Sequence, residues 1–92
     1  MRKIEQTAAF KKDLRREGKG PNLAALNAVL PDVLAALAGD IQLVAKYQDH
    51  KLIGEWTGCS DCHIKSDLIL IYEITDEILI LHRLGSHAEL FG

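Results

Sequence analysis

Residues 68–84 have the sequence LILIYEITDEILILHRL, in which two apolar segments flank a short polar connection. The segments 68–72 and 78–81 are apolar at every position, as expected for strands that are buried on both faces. Residues 75–77 (TDE) between them suit a tight hairpin. This stretch therefore predicts two adjacent antiparallel strands at the centre of a sheet, with strand-like runs extending over 68–74 and 78–84.

Toward the N-terminus the apolar spacing becomes helical. Thr7 is a suitable N-cap for a helix over residues 8–17, with Phe10 and Leu14 on its apolar face and Gly18 as its stop. A second apolar stripe follows between residues 21 and 39. Pro31 lies inside this stripe and lacks a backbone donor, which predicts either a kink or two short helices.

The remaining segments complete an α+β fold. Residues 2–6 predict a short edge strand, and residues 41–51 lack periodicity and predict a connecting loop. Residues 55–58 and 61–64 are strand-like. The order predicts a short N-terminal strand and two helices packed on one face of an antiparallel β-sheet.

Length and composition limit the class of protein. The chain has 92 residues, 48% of them hydrophobic and 26% charged, which predicts one globular domain over residues 1–92 and excludes a disordered chain. No apolar run approaches the roughly 20 residues that cross a bilayer, and no apolar secretion segment follows Met1. We therefore expect a cytoplasmic protein without a membrane partner.

Charge is distributed unevenly along the chain. Residues 2–20 carry seven basic and three acidic side chains, whereas residues 21–92 carry four basic and ten acidic ones. This balance excludes a basic surface over the whole domain, so a polyanion would contact the first helix or a few placed cations. Alternatively, the first helix is simply a solvated amphipathic helix.

Histidines are concentrated in the C-terminal half, where imidazoles could act as proton donors and acceptors near neutral pH. The four are His50, His63, His82 and His87. Strand alternation predicts that Arg83 shares a face with Leu79 and Leu81, whereas His82 lies on the opposite face. The turn through Gly85 is expected to bring Arg83 and His87 together at one edge of the sheet.

Residues 59–63 (CSDCH) match three metal or cofactor patterns. The CxxCH spacing is that of covalent haem attachment, and it is also half of a zinc site or a redox pair. The strand-forming context and the absence of an export segment argue against haem, and zinc would require further ligands such as His82 or His87. We favour the remaining interpretation, in which Cys59 and Cys62 are small apolar side chains.

Three blocks in the C-terminal half resemble a known family. Residues 47–56 (YQDHKLIGEW), 61–72 (DCHIKSDLILIY) and 83–91 (RLGSHAELF) are similar to the YafQ-type branch of the RelE/ParE toxin superfamily. The resemblance covers the chain in length and element order and implies the RelE-like microbial RNase fold. It implies a type II toxin, an endoribonuclease that cleaves mRNA without metal or cofactor and so inhibits translation and growth.

The resemblance also implies partners. In the best-known relatives the mRNA is cut in the decoding site of the 30S ribosomal subunit. A small antitoxin with a DNA-binding N-terminus and a disordered tail would hold the toxin inactive.

The family's functional positions transfer to eight residues of this chain. The resemblance implies catalytic roles for five of them, namely His50, His63, Asp67, Arg83 and His87. It implies substrate contacts for the other three, namely Asp61, Leu68 and Phe91. The family usually has Trp at the position of Leu68, so a ring that could stack on a base is missing.

Metal-independent cleavage of RNA needs a base for the 2′-OH, a cation for the phosphate and an acid for the leaving 5′-oxygen. His63, Asp67 and His50 are alternative bases. Arg83 offers a charged fork for phosphate, and His87 is the expected acid. Phe91 could stack on a base or pin the C-terminus. The alternative function is a non-catalytic module whose histidines hold zinc or pack at a protein interface.

Overall fold

The computed structural model describes residues 1–92. One strand and two helices are followed by four strands and a short helix, in the order β1 (Lys3–Gln6), α1 (Ala8–Gly18), α2 (Leu23–Ala38), β2 (His50–Lys51), β3 (Ser60–Lys65), β4 (Leu68–Ile74), β5 (Ile78–Gly85) and α3 (His87–Phe91). Single 3₁₀ turns cover Ala45–Tyr47 and Gly54–Trp56. The α+β class predicted from the sequence is confirmed. None of the helices has the length and apolar content that a bilayer crossing requires.

The five strands form one mixed sheet in the order β1-β5-β4-β3-β2. Strands β2 to β5 pair antiparallel, as predicted, but β1 pairs parallel with β5, with Lys3 opposite Ile78. The prediction of a wholly antiparallel sheet is therefore wrong at this edge. Hairpin turns join sequence neighbours antiparallel, whereas β1 finds its partner across most of the chain and its direction is set by the packing of α1 and α2.

Helix α1 begins as the sequence predicts. The Thr7 side chain accepts a hydrogen bond of 3.0 Å from the Phe10 N–H, and Phe10 is buried against the sheet. Helix α2 runs without interruption through Pro31, so the alternative of two short helices is wrong. Pro31 removes one backbone donor, and the burial of Leu30 and Val33 on either side of it outweighs that loss.

Two segments before β3 differ from the prediction. Residues 55–58 do not form a strand, because Gly54 and Gly58 adopt positive φ values of 72° and 94° that extended backbone cannot accommodate. The segment 41–51, predicted as a loop, contains a 3₁₀ turn and the short strand β2.

The two faces of the sheet are covered differently. Helices α1 and α2 pack on one face, which we call the helix face, and bury a cluster of 15 residues there. The opposite face, which we call the open face, holds a cluster of four buried residues partly covered by α3, namely Cys59, Ile69, Ile71 and Leu90. The open face therefore keeps polar side chains accessible beside a small apolar floor.

A β-bulge in β5 changes which side chains reach the open face. Tyr72 pairs with Leu81 but Ile71 pairs with Arg83, so His82 is an extra residue in the ladder. Arg83 consequently lies on the open face with Ile71. The prediction that Arg83 shares the face of Leu81 and lies opposite His82 is wrong, because simple alternation ends at the bulge.

Candidate active site

Asp61 lies at the centre of a group of histidines on the open face. Asp61 is only 3% exposed. In the sheet it is the strand partner of His50 in β2 on one side and of Ile71 in β4 on the other. The Nδ1 atom of His50 lies 3.0 Å from Asp61 Oδ1 and 3.1 Å from the carbonyl oxygen of Gln48. The contact with Asp61 lacks hydrogen-bond geometry, so this buried carboxylate oxygen has no donor within the chain.

Burial and nearby histidines affect the pKa of Asp61 in opposite directions. Burial raises the pKa of the Asp61 carboxyl above its ordinary value, and positive charge on His50, His63 and His87 acts in the opposite direction. Three of the four histidines are therefore close enough to this buried carboxylate for their charge to affect its pKa. An unpaired acceptor facing ionisable rings is suited to stabilise an imidazolium.

His63 has no hydrogen bond to another residue of the chain. It lies on β3 opposite Ile69 and lines an open groove together with Lys46, Gln48 and Lys65. Both ring nitrogens are therefore available to a ligand, and the lysines give the groove positive charge.

Asp67 and His87 are joined through the backbone. The Asp67 side chain, in the β3–β4 turn, accepts a hydrogen bond of 2.9 Å from the His87 N–H at the start of α3. Ser86 and Glu89 form a capping box at the same helix start. These bonds fix where α3 leaves the sheet and thereby place the exposed imidazole of His87.

Phe91 lies one turn after His87 and contacts both the ring and the floor of the open face. The two ring centroids are 4.9 Å apart at a tilted angle, and Phe91 packs against the cluster that includes Leu90. Phe91 thus pins α3 and supports the His87 ring.

Arg83 is held by a carboxylate that sequence reasoning missed. Its Nε and Nη2 atoms donate to the two oxygens of Asp13 at 2.6 and 3.2 Å, and the Leu84 N–H donates to Asp13 at 3.0 Å. Although burial opposes ionisation, the bonds from Arg83, Leu84 and Arg16 hold the pKa of Asp13 below its ordinary value. The Nη1 side of Arg83 donates no bond within the chain.

Arg16 extends this network from α1 to α3. It donates to Asp13 at 2.9 Å and to the Leu84 carbonyl oxygen at 2.9 Å, and its Nε lies 3.3 Å from Glu89. The sequence signal for this network was present: Asp13 and Glu17 follow Phe10 at helical spacing, on the buried face of α1. Charged residues on an apolar helix face require partners.

Gly85 provides space for that network. A Cβ atom at this position would lie 2.9 Å from Arg16 Nη2 and 3.1 Å from Glu89 Oε1. The sequence predicts a turn at Gly85, but Gly85 is the last residue of β5, and glycine is needed there because the Arg16 and Glu89 side chains approach closely.

Leu68 is not a substrate contact. It has 0% exposure and belongs to the helix-face core, together with Leu70 and Tyr72. The expectation that this position contacts substrate is wrong, because alternation along β4 directs Leu68 toward the helices.

The two cysteines cannot share a metal ion or a haem. Cys62 belongs to the helix-face core, whereas Cys59 belongs to the open-face cluster. Burial raises the pKa of the Cys62 thiol to about 12. A zinc or haem site that uses both thiols of the CSDCH segment is therefore excluded by the sheet that separates them.

Comparisons with known proteins identify the family of this chain. The family model for YafQ, described as a bacterial toxin of type II toxin–antitoxin systems, matches residues 2–92. The mRNA interferase toxin YafQ of Escherichia coli strain K12 is 36% identical over 91 residues, covering 99% of this chain and 97% of the relative.

Solved structures give the same result. The DinJ–YafQ complex of E. coli matches with a TM-score of 0.83 and 35% identity over 100% of both chains. A copper-bound mutant toxin from Helicobacter pylori matches with a TM-score of 0.86 and 38% identity, over 99% of this chain and 100% of that one. The chain therefore belongs to the YafQ family of bacterial toxins from type II toxin–antitoxin systems.

Proposed function

We propose that this protein is a metal-independent endoribonuclease that cleaves mRNA and thereby inhibits translation and growth. The observation that carries the proposal is the buried Asp61 on the open face, with His50 Nδ1 3.0 Å from its carboxylate and His63 two residues further along β3. The partly free guanidinium of Arg83 on the same face adds a phosphate ligand. The relative from E. coli is named an mRNA interferase, which supports the same activity.

We assign the general base to His63. Its ring makes no hydrogen bond within the chain, whereas Asp67 already accepts the His87 N–H and His50 Nδ1 contacts Gln48 and Asp61. His63 would take the proton of the 2′-OH, whose oxygen then attacks the adjacent phosphorus. His50 and Asp67 are then positioning residues.

Arg83 would stabilise the charge that develops on the phosphate. A guanidinium can bind oxygens through two edges, and Asp13 occupies the edge formed by Nε and Nη2. The edge that includes Nη1 remains for two phosphate oxygens. Asp13 and Arg16 fix the direction of that edge.

His87 would act as general acid. Its protonated ring gives a proton to the departing 5′-oxygen. The products are a 2′,3′-cyclic phosphate, which can open to a 3′-phosphate, and a 5′-hydroxyl. Phe91 supports the ring and offers a face on which a base can stack.

Substitution of the reacting ribose tests the chemistry. Replacing the ribose on the 5′ side of the cut with deoxyribose removes the attacking hydroxyl, so cleavage at that position should disappear. His87→Ala and Arg83→Ala should fold and lose about 10² to 10⁴ in rate. Arg15→Ala on the exposed side of α1 is the matched arginine control and should cleave normally. Continued cutting at the deoxyribose would indicate an activated water and refute the mechanism.

We propose that an antitoxin neutralises this toxin with a segment that folds on binding. The complex of DinJ with the E. coli relative supports such a partner. The segment would cover the open face around His87 and the exposed basic side of α1, which carries Lys11, Lys12 and Arg15. Co-expression with the protein encoded next to the toxin gene should give a stable, non-toxic complex, and a complex that still arrests growth would contradict the proposal.

We also propose that cleavage takes place in the cytoplasm on mRNA bound in the 30S decoding site. A toxin with a net charge of -2 has no overall attraction for RNA, so it would gain substrate affinity and placement from the ribosome. Cleavage should therefore be much faster on ribosome-bound mRNA than on the same RNA free in solution. Equal rates on both substrates would remove the ribosome from the mechanism.

A further inference from the structure

Three side chains outside the proposed active site meet on the open face. Cys59 immediately precedes β3, Glu73 lies on β4, and His82 is the extra residue of the bulge in β5. One ligand atom from each of the three lies within 4.8 Å of the other two. His82 Nε2 is 2.9 Å from Glu73 Oε1, and the Cys59 thiol makes no hydrogen bond within the chain.

We propose that Cys59, Glu73 and His82 form a Zn²⁺ site that is separate from the active site. A thiolate, an imidazole and a carboxylate are ligand types that Zn²⁺ binds tetrahedrally, with water in the fourth position of a three-ligand site. Zinc–ligand distances of about 2.0 to 2.3 Å place ligand atoms roughly 3 to 4 Å apart, so small side-chain rotations suffice.

The charges of the ligands favour a cation at this position. Glu73 supplies a carboxylate and Cys59 supplies a sulfur ligand. A divalent ion would balance the charge of the carboxylate and of the bound thiolate. On binding, the thiol releases its proton to solvent and the His82–Glu73 contact is replaced by two bonds to the metal.

The site is accessible to an ion, and it includes the β-bulge of β5. Cys59 is 8% exposed, but the side chains of His82 and Glu73 are 25% and 37% exposed. The bulge at His82 determines that the next residue, Arg83, lies on the open face. A bound ion would tie this bulge to β4 and to the start of β3, so Zn²⁺ should raise the unfolding temperature.

Cobalt(II) is the probe for this site because a thiolate–cobalt bond gives a charge-transfer absorption that histidines and carboxylates do not. We expect the band to appear on titration of the full chain and to disappear when Zn²⁺ is added. Cys59→Ala should abolish the band, and His82→Gln should weaken binding by at least about 10- to 100-fold, the loss that even outer-shell changes cause. Cys62→Ala is the matched thiol control and should keep the band.

Trp56 provides a second readout that does not depend on the thiol. It is the only tryptophan, and its ring centroid lies 6.0 Å from that of His82. Zn²⁺ should change its fluorescence in the wild type and in Cys62→Ala, but not in His82→Gln. A cobalt complex of the wild type without the charge-transfer band, or a band that survives in Cys59→Ala, would overturn the proposal. The wild-type titration decides the question even if a variant fails to fold.

Discussion

At the scale of single residues, Asp61 is a buried carboxylate whose pKa is raised by burial. A raised pKa means that the folded state holds the proton more tightly than the unfolded state, so ionisation at neutral pH costs stability. Asp61→Asn removes this cost and should stabilise the protein by about 1 kcal/mol, which is typical of single stabilising changes. Urea unfolding at pH 7 measures this difference.

The same substitution should lower the cleavage rate, because it removes the buried negative charge beside the proposed acid and base residues. The gain in stability and the loss in rate are expected together in one variant. A variant that is both less stable and fully active would show that Asp61 has a structural role only.

Sequence patterns nominate most residues of the candidate site, but they do not show which partners hold them. Residue type and family resemblance identify His50, His63 and His87, and the charge of all three acts on the pKa of Asp61. These patterns do not identify Asp13, because it lies far from the histidines along the chain. Its burial follows from its spacing to Phe10, but its pairing with Arg83 depends on the tertiary fold.

At the scale of elements, the β3–β4 turn is tied to α3 by a single hydrogen bond from the His87 N–H to the Asp67 side chain. If Asp67 only positions α3, Asp67→Asn keeps an acceptor oxygen and should retain most of the activity, whereas Asp67→Ala should lose it. If Asp67 is the base, both variants should be equally inactive. Cleavage rates of the two variants, measured on folded protein, distinguish these roles.

The contact between α1 and β5 depends on Asp13, which is 2% exposed and accepts bonds from Arg83, Arg16 and the Leu84 N–H. Loss of one partner from a fully buried ion pair costs about 3–5 kcal/mol. Because the Arg83 and Arg16 side chains are 29% and 40% exposed and partly screened, we expect about 2 kcal/mol for Asp13→Asn.

The control for Asp13→Asn is Asp32→Asn, which neutralises an exposed carboxylate on α2 and should leave stability unchanged. Since Asp13 orients the free edge of Arg83, cleavage should also fall in Asp13→Asn. Normal cleavage by the folded variant would show that Arg83 does not depend on this anchor.

Local sequence predicts the elements better than their pairing. The apolar runs in β4 and β5 and the N-cap at Thr7 are confirmed because each depends on neighbouring residues. The parallel pairing of β1 and the bulge at His82 are not visible locally, because an extra residue in a ladder is defined only by the opposite strand. That single extra residue changes the face on which Arg83 lies.

At the scale of the whole molecule, the main apolar core and the candidate active site lie on opposite faces of the sheet. The helix face carries the larger apolar cluster, and the open face carries the histidines, Asp61 and Arg83. Ionisation of the two buried aspartates has opposite effects on the stability of the fold. Asp13 stabilises the fold when charged, whereas Asp61 destabilises it.

The dependence of stability on pH should show both contributions. The pKa of Asp61 is raised above the ordinary value of 3.8, so stability should rise as the pH falls from neutral toward 3.8 and Asp61 takes up a proton. The pKa of Asp13 lies below 3.8, so its contribution is present above that value and is lost as the pH falls further. Urea unfolding across this range should therefore show stability that first rises and then falls as the pH is lowered. Asp61→Asn should remove the rise, and Asp13→Asn should weaken the fall. An unchanged profile in both variants would contradict the assigned shifts, and Asp32→Asn should follow the wild type throughout.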